Sequence, residues 1–215
     1  MNEFLSYNPP PSEIQVIFAD DTLLIVNKPS GLLAVPGRGP DKQDCLISRL
    51  HKDYPDALVV HRLDMSTSGI MLYARGEVMQ RQLSHLFRER CVEKTYIAIV
   101  SGKLESEIGE ITLPISTDWL NRPLQKINSD NGKHALTRFR LLNIIEGNSR
   151  VELQPVTGRT HQIRVHMSAI GHPILGDALY GVTANAPRLM LQASTISFVH
   201  PNTGQSLCFE SPPGF

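Results

Sequence analysis

Cysteine is scarce. The three residues, Cys45, Cys91 and Cys208, are far apart, odd in number and without a Cys-x-x-Cys pair, so neither a disulfide framework nor a zinc site is suggested. No apolar run approaches the roughly 20 residues of a membrane-spanning helix. The opening MNEFLSYNPPPSE has no basic start and no apolar core; it is not a signal peptide, and a cytoplasmic location is expected. There is no P-loop, no GxGxxG after a strand and no GxSxG elbow around Ser66 or Ser68. No second aspartate follows Asp64 two residues on. His161 and His166 are five apart, where a metal pair on one helix face needs four. No metal and no cofactor is expected. Charge of one sign is also lacking, since 21 Lys and Arg balance 21 Asp and Glu. The balance is local, however. Residues 1–74 hold 6 basic and 9 acidic residues, residues 75–166 hold 14 and 10, and binding of a polyanion responds to a patch rather than to the sum. On charge alone this is no more than an uneven surface.

What is present is an ordinary globular composition, 41% hydrophobic and 20% charged over 215 residues, enough for a substantial core. Residues 1–12 read as a polar, Pro-rich tail. IQVIFADDTLLIVNKPSG reads as two strands joined at Asp20-Asp21 and closed by a turn at Lys28–Gly31. A short helix is expected near 42–53, strands at ALVVHR and GIMLYAR, and a helix over 76–90 with Met79, Leu83, Leu86 and Phe87 on one face. KTYIAIVSG alternates, with Tyr96, Ala98 and Val100 on one side. Residues 117–134 are polar and read as a loop. ALTRFRLLNIIEGNSRVELQPV reads as a hairpin turning at Gly147-Asn148. A helix is expected between Thr160 as N-cap and Gly171 just past its end, with Ile163, Met167 and Ile170 on one face. A last hairpin crosses Asn202-Thr203-Gly204. The fold class is therefore α+β, a mixed, mainly antiparallel central sheet with flanking helices, over a single domain at 13–215.

The stretch VVHRLDMSTSGIMLYAR (59–75) places an arginine and an aspartate between two strand-like runs. Asp64, at the exit of one run, is the sharpest candidate for chemistry. The plain alternative is a turn carboxylate bonded to the amides of Ser66 or Thr67, with Arg62 as an ion-pair partner. With the other signatures eliminated, one carboxylate and several arginines remain, a profile that fits catalysis by a carboxylate.

Four segments in order resemble the motifs of the RluA-type pseudouridine synthases: NKPSGLLAVPG (27–37), HRLDMSTSG (61–69), KTYIAIVSG (94–102) and LQPVTGRTHQIRVHMSAIGHPILGD (153–177). A lone HRLD would be weak; the ordered series is specific. The resemblance is strongest to the RluA branch, associated with large-subunit rRNA and the tRNA anticodon stem-loop. It implies the pseudouridine synthase catalytic fold, here without an S4-type RNA-binding module, and conversion of uridine to pseudouridine in RNA without a cofactor. It also implies Asp64, Tyr96 and Arg164 as catalytic residues, with His61, Arg62, Lys94, Arg159, Thr160, His161 and Gln162 toward the substrate. One departure falls at Gln192, where the family often has histidine; a glutamine keeps a hydrogen bond but carries no charge.

Several expectations follow from that resemblance. A carboxylate in a site closed to water stays ionised when a cation lies within about 4–6 Å, and Arg164 is the expected partner of Asp64. Arg62 is expected to hold or replace the flipped nucleotide. Arg81, Arg88, Arg90, Arg122, Lys126 and Lys133 are candidate phosphate contacts, each of which read alone is an ordinary surface charge. The partner is RNA, with no membrane and no obligate protein partner, and the enzyme is expected to be a monomer. A non-catalytic RNA-binding protein on the same fold, and a carboxylate-dependent nucleoside or glycoside hydrolase, are the competing readings. Whether Asp64 attacks ribose, attacks the ring or assists proton loss stays open.

Overall fold

A computed structural model describes residues 7–181 and 186–215. Residues 1–6 of the expected tail lie outside the described residues. The chain divides into two compact units, Met1–Val92 with Ser197–Ser211, and Glu93–Ile196 with Pro212–Phe215.

In the first unit, β1 (Gln15–Ala19), β2 (Leu23–Lys28), β3 (Ala57–Val59) and β4 (Ser68–Arg75) are the strands expected from the two apolar runs and their partners. β1 pairs β2, β2 pairs β4 and β3 pairs β4, all antiparallel. β2 and β4 are apolar without alternation because both faces are covered; Leu23–Val26 and Met71–Ala74 are fully buried. The link at Asp20-Asp21 is fixed by the Asp20 carboxylate, which accepts from the N–H groups of Thr22 and Leu23 at 2.7 Å. The helix expected near 42–53 is shorter, α1 (Leu46–Leu50), preceded by a 3-10 turn at Pro40–Lys42. α2 (Glu77–Arg88) buries Met79 and Leu83, with Leu86 and Phe87 half-buried on the expected face. Tyr7, within the expected tail, is anchored: its hydroxyl donates to the Asp44 carbonyl and accepts from the Leu33 N–H.

In the second unit, β5 (Glu93–Val100), β10 (Asn148–Pro155), β9 (Thr137–Ile145) and β6 (Ile108–Ile111) lie side by side in that order, each antiparallel to the next. β9 and β10 form the expected hairpin. Its turn is Glu146-Gly147, both with positive φ, the geometry that matches strand twist in two-residue hairpins. α3 (Gln162–Ala169) presses Ile163 and Met167 into a core with Ala98, Val100, Val151 and Leu153, and Ile170 packs against it. Gly171 lies just past its end, as expected. The last hairpin, β11 (Leu191–Val199) with β12 (Ser206–Glu210), begins in the second unit, and its β12 belongs to the first.

Two expectations are corrected. Residues 117–134 are not all loop: β7 (Ile115–Thr117) and β8 (Gln125–Ile127) form a two-stranded sheet, too short and polar for alternation to reveal. The N-cap of α3 is His161, in the left-handed region at φ 55, rather than Thr160. The Gln162 N–H, which a Thr160 side chain would cap, donates instead to the Arg159 carbonyl at 3.1 Å. Among the described residues no helix is long and apolar enough to cross a membrane.

Gly176 (φ +72) and Gly147 (φ +79) test the packing of the second unit. A Cβ at Gly176 would run into the Arg188 carbonyl, whereas at Gly147 nothing lies within 4 Å. Gly147→Ala should cost only the left-handed penalty of about 1–2 kcal/mol. Gly176→Ala should cost clearly more, read as the gap between the two denaturation midpoints; equal midpoints would contradict the close approach.

Candidate active site

The turn carrying Asp64 is clasped by the turn after β2. Lys28, at the end of β2, is fully buried. Its Nζ donates to the carbonyls of Pro29 at 2.9 Å, Leu32 at 2.7 Å and Met65 at 2.9 Å. Three acceptors match the three protons of an ammonium. The Gly31 N–H also donates to Met65 O (2.9 Å), and Ser30 Oγ donates to Ser66 O (2.7 Å). The Asp64–Thr67 turn closes on itself through Thr67 N–H to Asp64 O at 3.2 Å. Burial pulls the Lys28 ammonium down from 10.5 to about 7, and the charge of Asp64 resists that fall. The motif 27–37 thus staples the aspartate turn in place and sets a buried amine beside the carboxylate.

Asp64 itself is half-buried and Arg62 exposed. His61 reaches across to β4, where its Nε2 accepts from the Leu72 N–H at 2.9 Å, and its ring stacks on Phe87 at 4.6 Å between centroids. The acceptor role leaves the proton on Nδ1. The histidine fixes the chain direction just before Arg62 and Asp64.

In the second unit, Tyr96 and Lys94 stand half-buried on β5, Tyr96 opposite Leu153 of β10 and against the core. Burial lowers the Lys94 ammonium. Arg164, on α3, is buried and grips Asp177 with two hydrogen bonds, Nε to Oδ2 at 2.8 Å and Nη2 to Oδ1 at 2.7 Å. Burial alone would push the Asp177 carboxyl up. The hydrogen bonds and charge of Arg164 outweigh it, with the N–H groups of Leu179 and Tyr180, and hold it below the ordinary 3.8. Such a two-pronged pair fixes the guanidinium plane. Tyr180 lies across the same arginine, 5.2 Å from the guanidinium to its ring centre, and its hydroxyl meets His161 Nδ1 at 2.7 Å.

Gln162 works inward. Its Oε1 accepts from Thr157 Oγ1 (2.6 Å) and Arg159 N–H, and its Nε2 donates to Leu136 O and Thr137 Oγ1. Thr137 Oγ1 in turn meets His166 Nδ1 at 2.9 Å, and His166 Nε2 donates to Leu113 O. His166 is fully buried, and burial lowers its pKa. The TGRTHQIRVH run therefore anchors α3 to β9 while Thr160 stays exposed, and Arg159 Nε donates to His134 O. Sequence reasoning brought forward Asp64 and Arg164 but passed over Lys28, Asp177 and Tyr180. Lys28 and Asp177 lay inside quoted motifs, and a charged residue in an apolar or glycine-rich surrounding was their only signal.

The chain carries a strand-linked aspartate turn, a lysine-x-tyrosine strand and an arginine helix on an α+β scaffold. The RNA pseudouridylate synthase family profile matches residues 22–169. The chain belongs to that family. It is 47% identical over 216 residues, 98% of this chain and 99% of the relative, to the dual-specificity RNA pseudouridine synthase RluA of Pasteurella multocida. To that of Escherichia coli K12 it is 45% identical over 215 residues, 98% of each. Among solved structures it resembles human RNA pseudouridylate synthase domain containing 1, with a TM-score of 0.79 at 29% identity, covering 100% of this chain and 87% of that one. Human RNA pseudouridylate synthase domain containing 4 gives 0.75 at 25%, covering 92% and 88%.

Two outcomes test this geometry. Lys28→Met takes a donor from three carbonyls, each lost bond costing about 1–3 kcal/mol, so denaturant melts should show a loss of roughly 3 kcal/mol or more. Because the folded Lys28 releases its proton near 7 and the unfolded one near 10.5, the unfolded chain binds more protons between those values. The wild type's margin over Lys28→Met should therefore widen as pH rises from about 7 to 10; a margin independent of pH would contradict the assignment.

Asp177→Asn breaks a buried pair and should cost about 3–5 kcal/mol at neutral pH. The folded carboxyl titrates below its unfolded value. The wild type's advantage should then be flat from about pH 5 to 8 and shrink as pH falls below about 4. Thermal melts across pH check this, and an advantage undiminished at pH 2 would refute it.

Proposed function

We propose that this chain converts uridine to pseudouridine in folded RNA, with Asp64 as the essential carboxylate and Tyr96 and Arg164 serving the same reaction. The observation that carries the reading is 47% identity across 98% of the chain to a dual-specificity RNA pseudouridine synthase. The substrates in this reading are large-subunit rRNA and a tRNA anticodon stem-loop. The enzyme works as a cytoplasmic monomer, where both RNAs are folded, over one catalytic module at 13–215.

The chemistry is an isomerisation. The bond from uracil N1 to ribose C1′ breaks, the base turns, and C5 bonds to C1′. The C5 hydrogen leaves as a proton and N1 ends protonated, so no oxidant, reductant or added group is consumed. Cleavage at an anomeric carbon builds oxocarbenium character, which a carboxylate stabilises or captures. The uridine must leave its stack at a cost of a few kcal/mol. Arg62, exposed two residues before Asp64, is proposed to fill the vacated place and offset part of that cost. Single-stranded loops, whose bases are accessible, are the RNA such a site reads.

Loss of the C5 hydrogen supplies the assay. RNA tritiated at uridine C5 should release tritium with the wild-type protein and none with Asp64→Asn, whose RNA affinity should stay within about tenfold, ~1.4 kcal/mol. Appreciable release by the pure Asp64→Asn protein would remove Asp64 from the catalytic role.

A further inference from the structure

We propose that the tip of the β7–β8 hairpin is a stacking platform for an unpaired base of the RNA, an inference that rests on the reading of the chain as an RNA-modifying enzyme. Trp119 and Leu120, at the tip, are 71% and 94% exposed. The Arg122 guanidinium covers one face of the indole at 3.8 Å from the ring centre. With so much of Trp119 exposed, the opposite face is open to a second flat group. An indole backed by a guanidinium is the arrangement on which nucleobases stack without regard to sequence.

The tip is held rigidly. Asp118 N–H donates to Leu124 O at 3.0 Å, Leu124 N–H to Asn121 O at 3.0 Å, and Asn121 Nδ2 to Asp118 Oδ2 at 2.9 Å. Presenting a large aromatic on a fixed turn lowers the entropy lost on binding. The surrounding charge suits a phosphate backbone. Arg122, Lys126 and Lys133 are exposed, against two carboxylates, Asp118, 3.7 Å from Lys126, and the exposed Asp130.

The hairpin is also tied to the arginine helix. Gln125 N–H donates to Tyr180 Oη at 2.8 Å, and the same hydroxyl bonds His161. Ile115 and Ile127 pack with Val165 of α3 and with Tyr180. A base on Trp119 is therefore held at a fixed distance from Arg164. A neighbouring nucleotide docked there keeps its strand in register while the target uridine leaves its own stack.

Trp119 is the only tryptophan in the chain, so its emission reports on the tip directly. The wild-type protein is titrated with an unmodified tRNA anticodon stem-loop and with a fully paired RNA duplex of the same length. The stem-loop should quench Trp119 strongly and the duplex should not. Trp119→Ala should bind the stem-loop about tenfold more weakly, and Trp119→Phe, which keeps an aromatic face, within about threefold of wild type. Both variants should melt like wild type. Equal quenching by both RNAs, or undiminished binding by Trp119→Ala, would overturn the proposal. So would a blue shift that grows with protein concentration without RNA, which would assign the tip to self-association. Tritium release from the same stem-loop separates the two levels. Release without stem-loop-specific quenching removes the platform alone, whereas quenching without release removes the isomerase reading and leaves the platform.

Discussion

A buried ammonium organises the first unit. Lys28 satisfies all three of its protons with main-chain carbonyls, two from its own turn and one from the turn that bears Asp64. Take it away and Met65 O keeps one of its two donors, while the carbonyls of Pro29 and Leu32 lose the Nζ donor. A charge in such a place is costly on its own. It is tolerated because every hydrogen-bonding site is matched and because the Asp64 carboxylate lies near enough to favour the charged form. The rigidity of the aspartate turn and the charge beside it come from one residue.

The second unit repeats the principle with different groups. Arg164 is held flat by Asp177, and Asp177 by the amides of Leu179 and Tyr180. Gln162 and His166, two turns of the same helix, bind Thr137 from two directions. Polar groups buried this fully specify one arrangement, since half-satisfied they would destabilise it. A site residue supported by such a shell loses little freedom when substrate binds, and binding energy goes to the transition state.

The strands of both cores were legible because β2, β4 and β5 carry long apolar or alternating runs, and Ile163, Met167 and Ile170 marked the buried face of α3. Asp64 stood out through its motif. Lys28 did not, because its partners are backbone carbonyls, one of them 37 residues away, and no side-chain pattern announces a carbonyl. Tyr180 was equally silent, its hydroxyl meeting residues 55 and 19 positions distant. β7 and β8 escaped because three-residue strands have no period to read. Thr160 had the right chemistry for a helix cap, but the Arg159 carbonyl took the Gln162 N–H that a cap would have bound.

The central claim is that uridines are isomerised in place rather than removed. An RNA transcript of large-subunit rRNA or tRNA, free of pseudouridine, separates those fates after incubation with the protein. Nucleoside analysis and base-resolution mapping should find pseudouridine at discrete loop positions, no change of mass and no free uracil. Free uracil with abasic sites in the RNA would contradict the account and point to a hydrolase, and an unaltered transcript of both RNAs would contradict catalysis itself.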